Sequence, residues 1–242
     1  MQNALSYRKF LWLGVFAVAM GILEAIVVVY LRELYYPSGF DFPLTPIPEK
    51  ILLTEMLREA CTIIMLVAIA AVAGKNFYMR FSYFLFIFGM WDIFYYIGLK
   101  LLLDWPASVF TWDILFLIPV AWTGPVLAPV ISALTMVFLS LLIFYLLKNY
   151  HTVKIGLKAW SFLLLGAFVI FCTFIWDYSR IIIEGGFLPK FFELAVNQDF
   201  QRVISGYTPA EYNWQFFALG EALIISAFVL IFKASRGLKS KT

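Results

Sequence analysis

Long apolar runs separated by short polar stretches organise the whole chain. Six of them reach the roughly 20 residues that a helix needs to cross a hydrocarbon core of about 30 Å. They lie near residues 10–32, 51–73, 77–103, 124–148, 157–178 and 213–233. None shows the alternation of a membrane β-strand. The pattern therefore predicts an all-α, polytopic membrane protein with a single integral membrane domain over 1–242. A further apolar stretch, 107–120, is too short to span and is interrupted by Pro119, with Pro106 and Pro125 at its flanks. It reads as a re-entrant or interfacial segment between the third and fourth helices. The stretch "FLPKFFELAVNQDFQRVI" (187–204) reads as an amphipathic helix lying along the outer interface. The start, "MQNALSYRKF", runs straight into apolar sequence without a small-residue cleavage site, which predicts an uncleaved first helix.

Composition agrees with this reading. The chain of 242 residues is 63% hydrophobic and 14% charged. Soluble domains hold about 45–50% apolar and about 25% charged residues, and none of this length has interior enough for such a chain. Charge then orients the helices, because Lys and Arg collect on the cytoplasmic side of short loops. With the N-terminus inside, that face holds Arg8, Lys9, Lys75, Arg80, Lys148, Lys154, Lys158, Lys233, Arg236, Lys239 and Lys241, and no acid. The expected location is the inner (cytoplasmic) membrane, multi-pass, with both termini cytoplasmic. A seventh crossing would break the pattern.

Ionisable residues within the spans carry the functional signal, since a charge in hydrocarbon is costly. Glu24, Glu55, Arg58, Glu59, Asp92, Asp177, Arg180 and Glu221 come from five helices and all fall between the midplane and the outer surface. Glu55, Arg58 and Glu59 stand at i, i+3 and i+4, so they share a face, and one guanidinium could pair with both acids. Glu24 in "GILEA" and Glu221 in "LGEAL" have small neighbours, which predicts helix–helix contacts at both. Six acids against two arginines leave an excess of four carboxylates. Such an excess in low dielectric requires protons or a cation. One reading makes the cluster a structural lock of buried ion pairs. The other makes it an outward-opening pocket.

Four Trp-Asp neighbours complicate the apolar runs. The pairs in "DWPASVFTWD" read as an interfacial segment, with Trp105, Trp112, Trp122 and Trp214 in an aromatic belt and Asp104 and Asp113 reaching interfacial water. The pairs in "MWD" and "IWD" read as pocket wall. Helical neighbours point about 100° apart, so one of Trp91 and Asp92 is expected to face the pocket while the other packs.

The chemistry is further bounded by what is missing. Cys61 and Cys172 form no CxxC, and His151 is the only histidine, in a basic loop. Histidine- or cysteine-based metal centres lack their ligands, so no cofactor is expected, although a divalent cation held by carboxylates is compatible with the cluster. No phosphate-binding loop or nucleophile elbow occurs, and the basic face is accounted for by orientation, so no nucleic-acid partner is expected. The partners expected are the lipid bilayer and a lipophilic small molecule or ion, with a homo-oligomer or a larger membrane complex left open.

Three functions fit. The first is a membrane enzyme acting on an isoprenoid- or lipid-like substrate. Glu55, Glu59, Asp92 and Glu221 would be the acid–base groups, and Glu24, Arg58, Trp91, Tyr95, Tyr96, Trp176, Asp177, Tyr178 and Arg180 the binding groups. The second is a proton- or cation-coupled transporter using the same acids. The third is a non-catalytic subunit whose acids serve assembly. In length, and in placing an acid on an early helix (Glu55 or Glu59) and another on the last (Glu221), the chain resembles the small membrane-bound terpene cyclases of meroterpenoid pathways. That resemblance implies isoprenoid cyclisation with those residues as acids. Thr54 stands where that family carries a tryptophan before the early glutamate.

Overall fold

A computed structural model describes residues 7–150, 152–194, 197–209 and 211–239. His151, Lys241 and the side chain of Lys239 lie outside the described residues. Six helices are long and apolar enough to cross a membrane. They are α1 (Tyr7–Tyr35), α2 (Glu49–Ala73), α3 (Phe77–Leu103), α4 (Leu127–Tyr150), α5 (Leu157–Glu184) and α7 (Trp214–Lys239), with a short α6 (Gln198–Ile204) between the last two. The protein is a multi-pass helical membrane protein. All six carry exposed large apolar side chains, as lipid-facing helices must, for example Leu23, Leu57, Leu101, Phe138, Leu164 and Ile225.

Lipid chains are as apolar as leucine, so close packing and polar ties must hold such helices together. Glycine permits the approach at the tightest crossings. A β-carbon at Gly21 of α1 would stand 2.6 Å from the Trp91 carbonyl oxygen of α3, and one at Gly89 of α3 would stand 2.5 Å from that of Ala133 on α4. Gly166 and Gly220 meet in the same way between α5 and α7, with a β-carbon at Gly166 falling 2.6 Å from the Gly220 oxygen. Glu24 and Glu221, beside Gly21 and Gly220, thus sit at helix crossings as their small neighbours implied. Helix α3 is the centre of the first group, packing on α1, α2 and α4, and α7 joins α4 to α5. Ser82 Oγ ties α3 to α4 through the Ser140 oxygen at 3.0 Å.

The two ends of the bundle differ. At one end Lys9 Nζ donates to the Ala73 oxygen at 2.8 Å, Lys148 bonds Tyr7, and the Lys154 amide donates to Ser235 Oγ at 3.0 Å. The two ends of the described chain therefore lie together. At the other end, no seventh helix forms from 107–120. Strands β1 (Trp112–Phe116) and β2 (Trp122–Pro125) pair antiparallel, Asp113 opposite Gly124, with a bulge between Ile114 and Phe116. Residues 124–126, read from sequence as the start of the fourth helix, belong to this hairpin and its exit. The stretch 187–204 is not one interfacial helix. It forms a 3-10 turn (Leu188–Glu193) and α6, and Phe200 and Ile204 are buried with Val120, Tyr178 and Ile182.

Candidate functional site

Three helices place their ionisable residues around the space beneath the hairpin. On α2, Arg58 Nε donates to Glu55 Oε2 at 2.7 Å, and its Nη1 donates to Glu24 on α1. One guanidinium does hold two acids, but the second is Glu24. Glu59, expected to share Arg58, turns to the hairpin and accepts from the Leu117 amide at 2.9 Å. The one-turn spacing of Glu55, Arg58 and Glu59 made a common face, and tertiary neighbours divided it. Asp92 on α3 makes no hydrogen bond or ion pair among the described residues, and it is only partly covered.

A second ion pair was not foreseen. Arg32 Nη2 donates to Asp113 Oδ1 at 3.1 Å, and Tyr96 Oη donates to Asp113 Oδ2 at 3.3 Å. Asp113 does not reach interfacial water, as its neighbour Trp112 had suggested, but is 1% exposed. The alternation of β1 turns Asp113 inward, and antiparallel pairing with β2 fixes that register. Burial raises its carboxyl to about 6, against the pull of the Arg32 guanidinium, the Ile114 amide and the Tyr96 hydroxyl. The Arg32 guanidinium also stacks 3.8 Å from the Trp105 ring centre and 4.3 Å from that of Phe40. Asp104, by contrast, does reach solvent, paired with Lys100 at 2.7 Å.

These groups line one cavity of about 480 Å³, within the range of small-molecule sites. Glu24, Val28, Leu31, Arg32 and Tyr35 form the α1 wall at helical spacing, and Trp91, Asp92 and Tyr95 form the α3 wall. Both Trp91 and Asp92 therefore reach the cavity, where adjacency had suggested that only one would. The remaining lining is mostly apolar: Leu44, Leu52, Met56, Leu115, Val120 and Ile204 among others. Five carboxylates (Glu24, Glu55, Glu59, Asp92, Asp113) and two guanidiniums (Arg32, Arg58) share the space. The Nε1 of Trp91 and the Nη1 of Arg32 are buried without a hydrogen-bond partner. Among the described residues no three His, Cys, Asp or Glu side chains are placed to hold a metal ion.

Four of the residues read as site members stand elsewhere. Glu221 lies between α7 and α4, accepting from Ser132 Oγ at 3.2 Å and Thr135 Oγ1 at 2.8 Å, and does not line the cavity. Asp177 accepts from Tyr207, whose phenol is pushed up first by burial and then by that carboxylate. Arg180 pairs on the surface with Glu184 at 2.8 Å, and Trp176 is half exposed. Tyr178 does line the cavity, and Tyr96 stands behind it on Asp113. Counting along the helices is blind to rotation: α5 and α7 turn their acids away from this chamber. Arg32 and Asp113 were the members missed. Arg32 could have been found from its stripe, since it follows Glu24 by eight residues. Asp113 could not, because its direction depends on a hairpin that the apolar pattern does not specify.

No family model matches the chain, and neither a curated protein nor a solved structure matches it. The resemblance to the meroterpenoid cyclases required an early acid and Glu221 in one chamber. Glu221 is separated from Glu55 and Glu59, so the resemblance carries no weight for this site.

Proposed function

We propose that this protein binds an amphipathic, lipid-like molecule in the cavity and acts on it by carboxylate acid–base chemistry. The observation that carries this reading is Asp92, a carboxylate on the wall of an otherwise mostly apolar chamber with no hydrogen-bond or ion-pair partner among the described residues. A structural acid in a membrane finds donors, as Glu221 does with Ser132 and Thr135. An acid kept without them costs stability unless a ligand or proton completes it. In this reading Asp92 exchanges a proton with the bound molecule, and Glu59, fixed by the Leu117 amide, is the second exchanging group. The Arg58–Glu24 pair ties α2 to α1, and the Arg58–Glu55 pair within α2 fixes the guanidinium on the chamber's polar wall. The apolar remainder receives the tail.

The test uses proteoliposomes made with a total membrane-lipid extract and followed by mass spectrometry. Wild type should convert one lipid-like species, and Asp92→Asn or Glu59→Gln should slow that conversion by about 10²–10⁴-fold while leaving the bundle folded. Conversion that survives both substitutions would refute the acid–base assignment. Movement of an unchanged molecule or of protons across the sealed vesicles would replace it with transport.

A further inference from the structure

We infer that the molecule held in this cavity carries a positively charged nitrogen, an alkylammonium head set against an apolar tail. This rests on the reading of the cavity as an amphiphile site and adds the chemistry of the head group.

The charge inventory points that way first. Arg58 is shared between Glu24 and Glu55, and Arg32 is taken up by Asp113. Among the described residues Glu59 keeps only a backbone amide as donor, and Asp92 keeps none. An anionic head would add to the excess of carboxylates, and a neutral one would leave it unrelieved. A cationic head would pair with Asp92 and bring the chamber towards neutrality, where low dielectric strengthens the attraction.

The surroundings of Asp92 suit the same head. Trp91 precedes it, and Tyr95 follows one turn later on its face of α3, and both line the cavity. Aromatic faces attract alkylammonium groups through the ring quadrupole, and a carboxylate among aromatic rings is a known arrangement for holding them. This protein already uses the device beside the cavity, with Arg32 over Trp105 and Phe40.

A separate observation concerns donors. Trp91 and Arg32 are each more than nine-tenths buried, at 6% and 7% exposure, and each keeps an N–H without a partner. Buried donors are rarely left so in native proteins, and an exception points to a group that completes them. Both residues line the cavity that contains Asp92, Trp91 on the α3 wall and Arg32 on the α1 wall. Both nitrogens are closed off from the cavity as its walls stand, so an oxygen acceptor beside the ammonium would serve them with a small shift of those walls. Two sources supply an ammonium head: a free amphiphilic amine, and a phospholipid-type head group in which a phosphate stands next to the nitrogen.

The full chain in nanodiscs tests this with three decyl probes below their micellar concentrations, carrying trimethylammonium, phosphocholine or glycerol heads. Equilibrium dialysis gives binding, with empty nanodiscs subtracting bilayer partition. The trimethylammonium probe should bind saturably and about tenfold tighter than the glycerol probe. Asp92→Asn should remove most of that preference. Tighter binding of phosphocholine than of trimethylammonium supports the phospholipid-type source, and the reverse supports the free amine. Equal saturable binding of the ammonium and glycerol probes overturns the inference while the amphiphile site stands. No saturable binding of any probe overturns both. A preference undiminished in Asp92→Asn overturns the inference as well. If that variant does not fold, the head-group series on wild type decides alone.

Discussion

Glu221 and Asp92 are both acids on spanning helices, and the protein treats them in opposite ways. Glu221 sits at the α4–α7 crossing, where two hydroxyls donate to it and the adjoining Gly220 packs on Gly166. Asp92 faces a cavity, with an unpartnered indole N–H on the preceding residue. From sequence the two look alike, each an acid in an apolar run next to a large or small apolar neighbour. The difference shows that an intramembrane carboxylate is not by itself a sign of chemistry. What separates the cases is whether the bundle supplies donors or leaves a space.

Substitutions can test that contrast. The largest stability effect should come from the buried Arg32–Asp113 pair on the cavity wall. Arg32→Ala leaves Asp113 buried at 1% exposure without its counter-charge, and such losses cost about 3–5 kcal/mol. Unfolding in mixed micelles would measure it, and a loss below about 1 kcal/mol would show that Asp113 is served by other groups. Gly89→Val comes next, since its β-carbon would fall 2.5 Å from the Ala133 oxygen. Overpacking of this kind costs about 1–3 kcal/mol, visible as a lower unfolding temperature at unchanged binding.

The two acids themselves should then divide. Glu221→Gln puts an amide N–H against hydroxyls that now donate, at a cost of about 1–2 kcal/mol, and ligand binding in the cavity should stay as it was. Asp92→Asn removes no protein hydrogen bond, so stability should change by less than about 1 kcal/mol while binding falls. If Glu221→Gln abolished binding and Asp92→Asn only destabilised the fold, the contrast would be inverted and the site misplaced.

The smallest effect is a pH dependence. The Asp113 carboxyl is raised from 3.8 to about 6, so the folded state holds its proton more tightly than the unfolded chain does. Its contribution to stability therefore grows as pH falls from about 6 to about 4 and is flat above about 7. The difference between the unfolding temperatures of wild type and Asp113→Asn should change across that window. A difference that stays constant from pH 4 to 7 would show that Asp113 titrates at its ordinary value in the fold.

Much of the architecture is legible in the apolar pattern alone. Hydrocarbon thickness sets helix length, so six apolar runs become six helices with ends within a few residues for α2 and α3, while α1, α5 and α7 continue by one to two turns. Small residues beside Glu24 and Glu221 mark two crossings, because only a missing side chain lets two backbones approach so closely. Depth also follows from counting along a helix, which is why Glu24, Glu55, Glu59 and Asp92 are found at one level. Rotation does not follow from counting. Asp177 and Glu221 face other partners, since the turn of α5 and α7 about their axes is set by packing between Gly166, Ile170 and Gly220 and on α4.

The class of protein and the number of its apolar spans are written in the order of residues, because the bilayer imposes a single length on every helix. Which acids share a chamber is a matter of packing in three dimensions. Packing paired Arg58 with Glu24 instead of Glu59, folded 112–125 into a hairpin that carries Asp113 inward to Arg32, and left Asp92 without a partner among the described residues. Those outcomes depend on helix rotation and on a short strand pairing held in place by distant residues, and neither leaves a period in the chain from which it could be read.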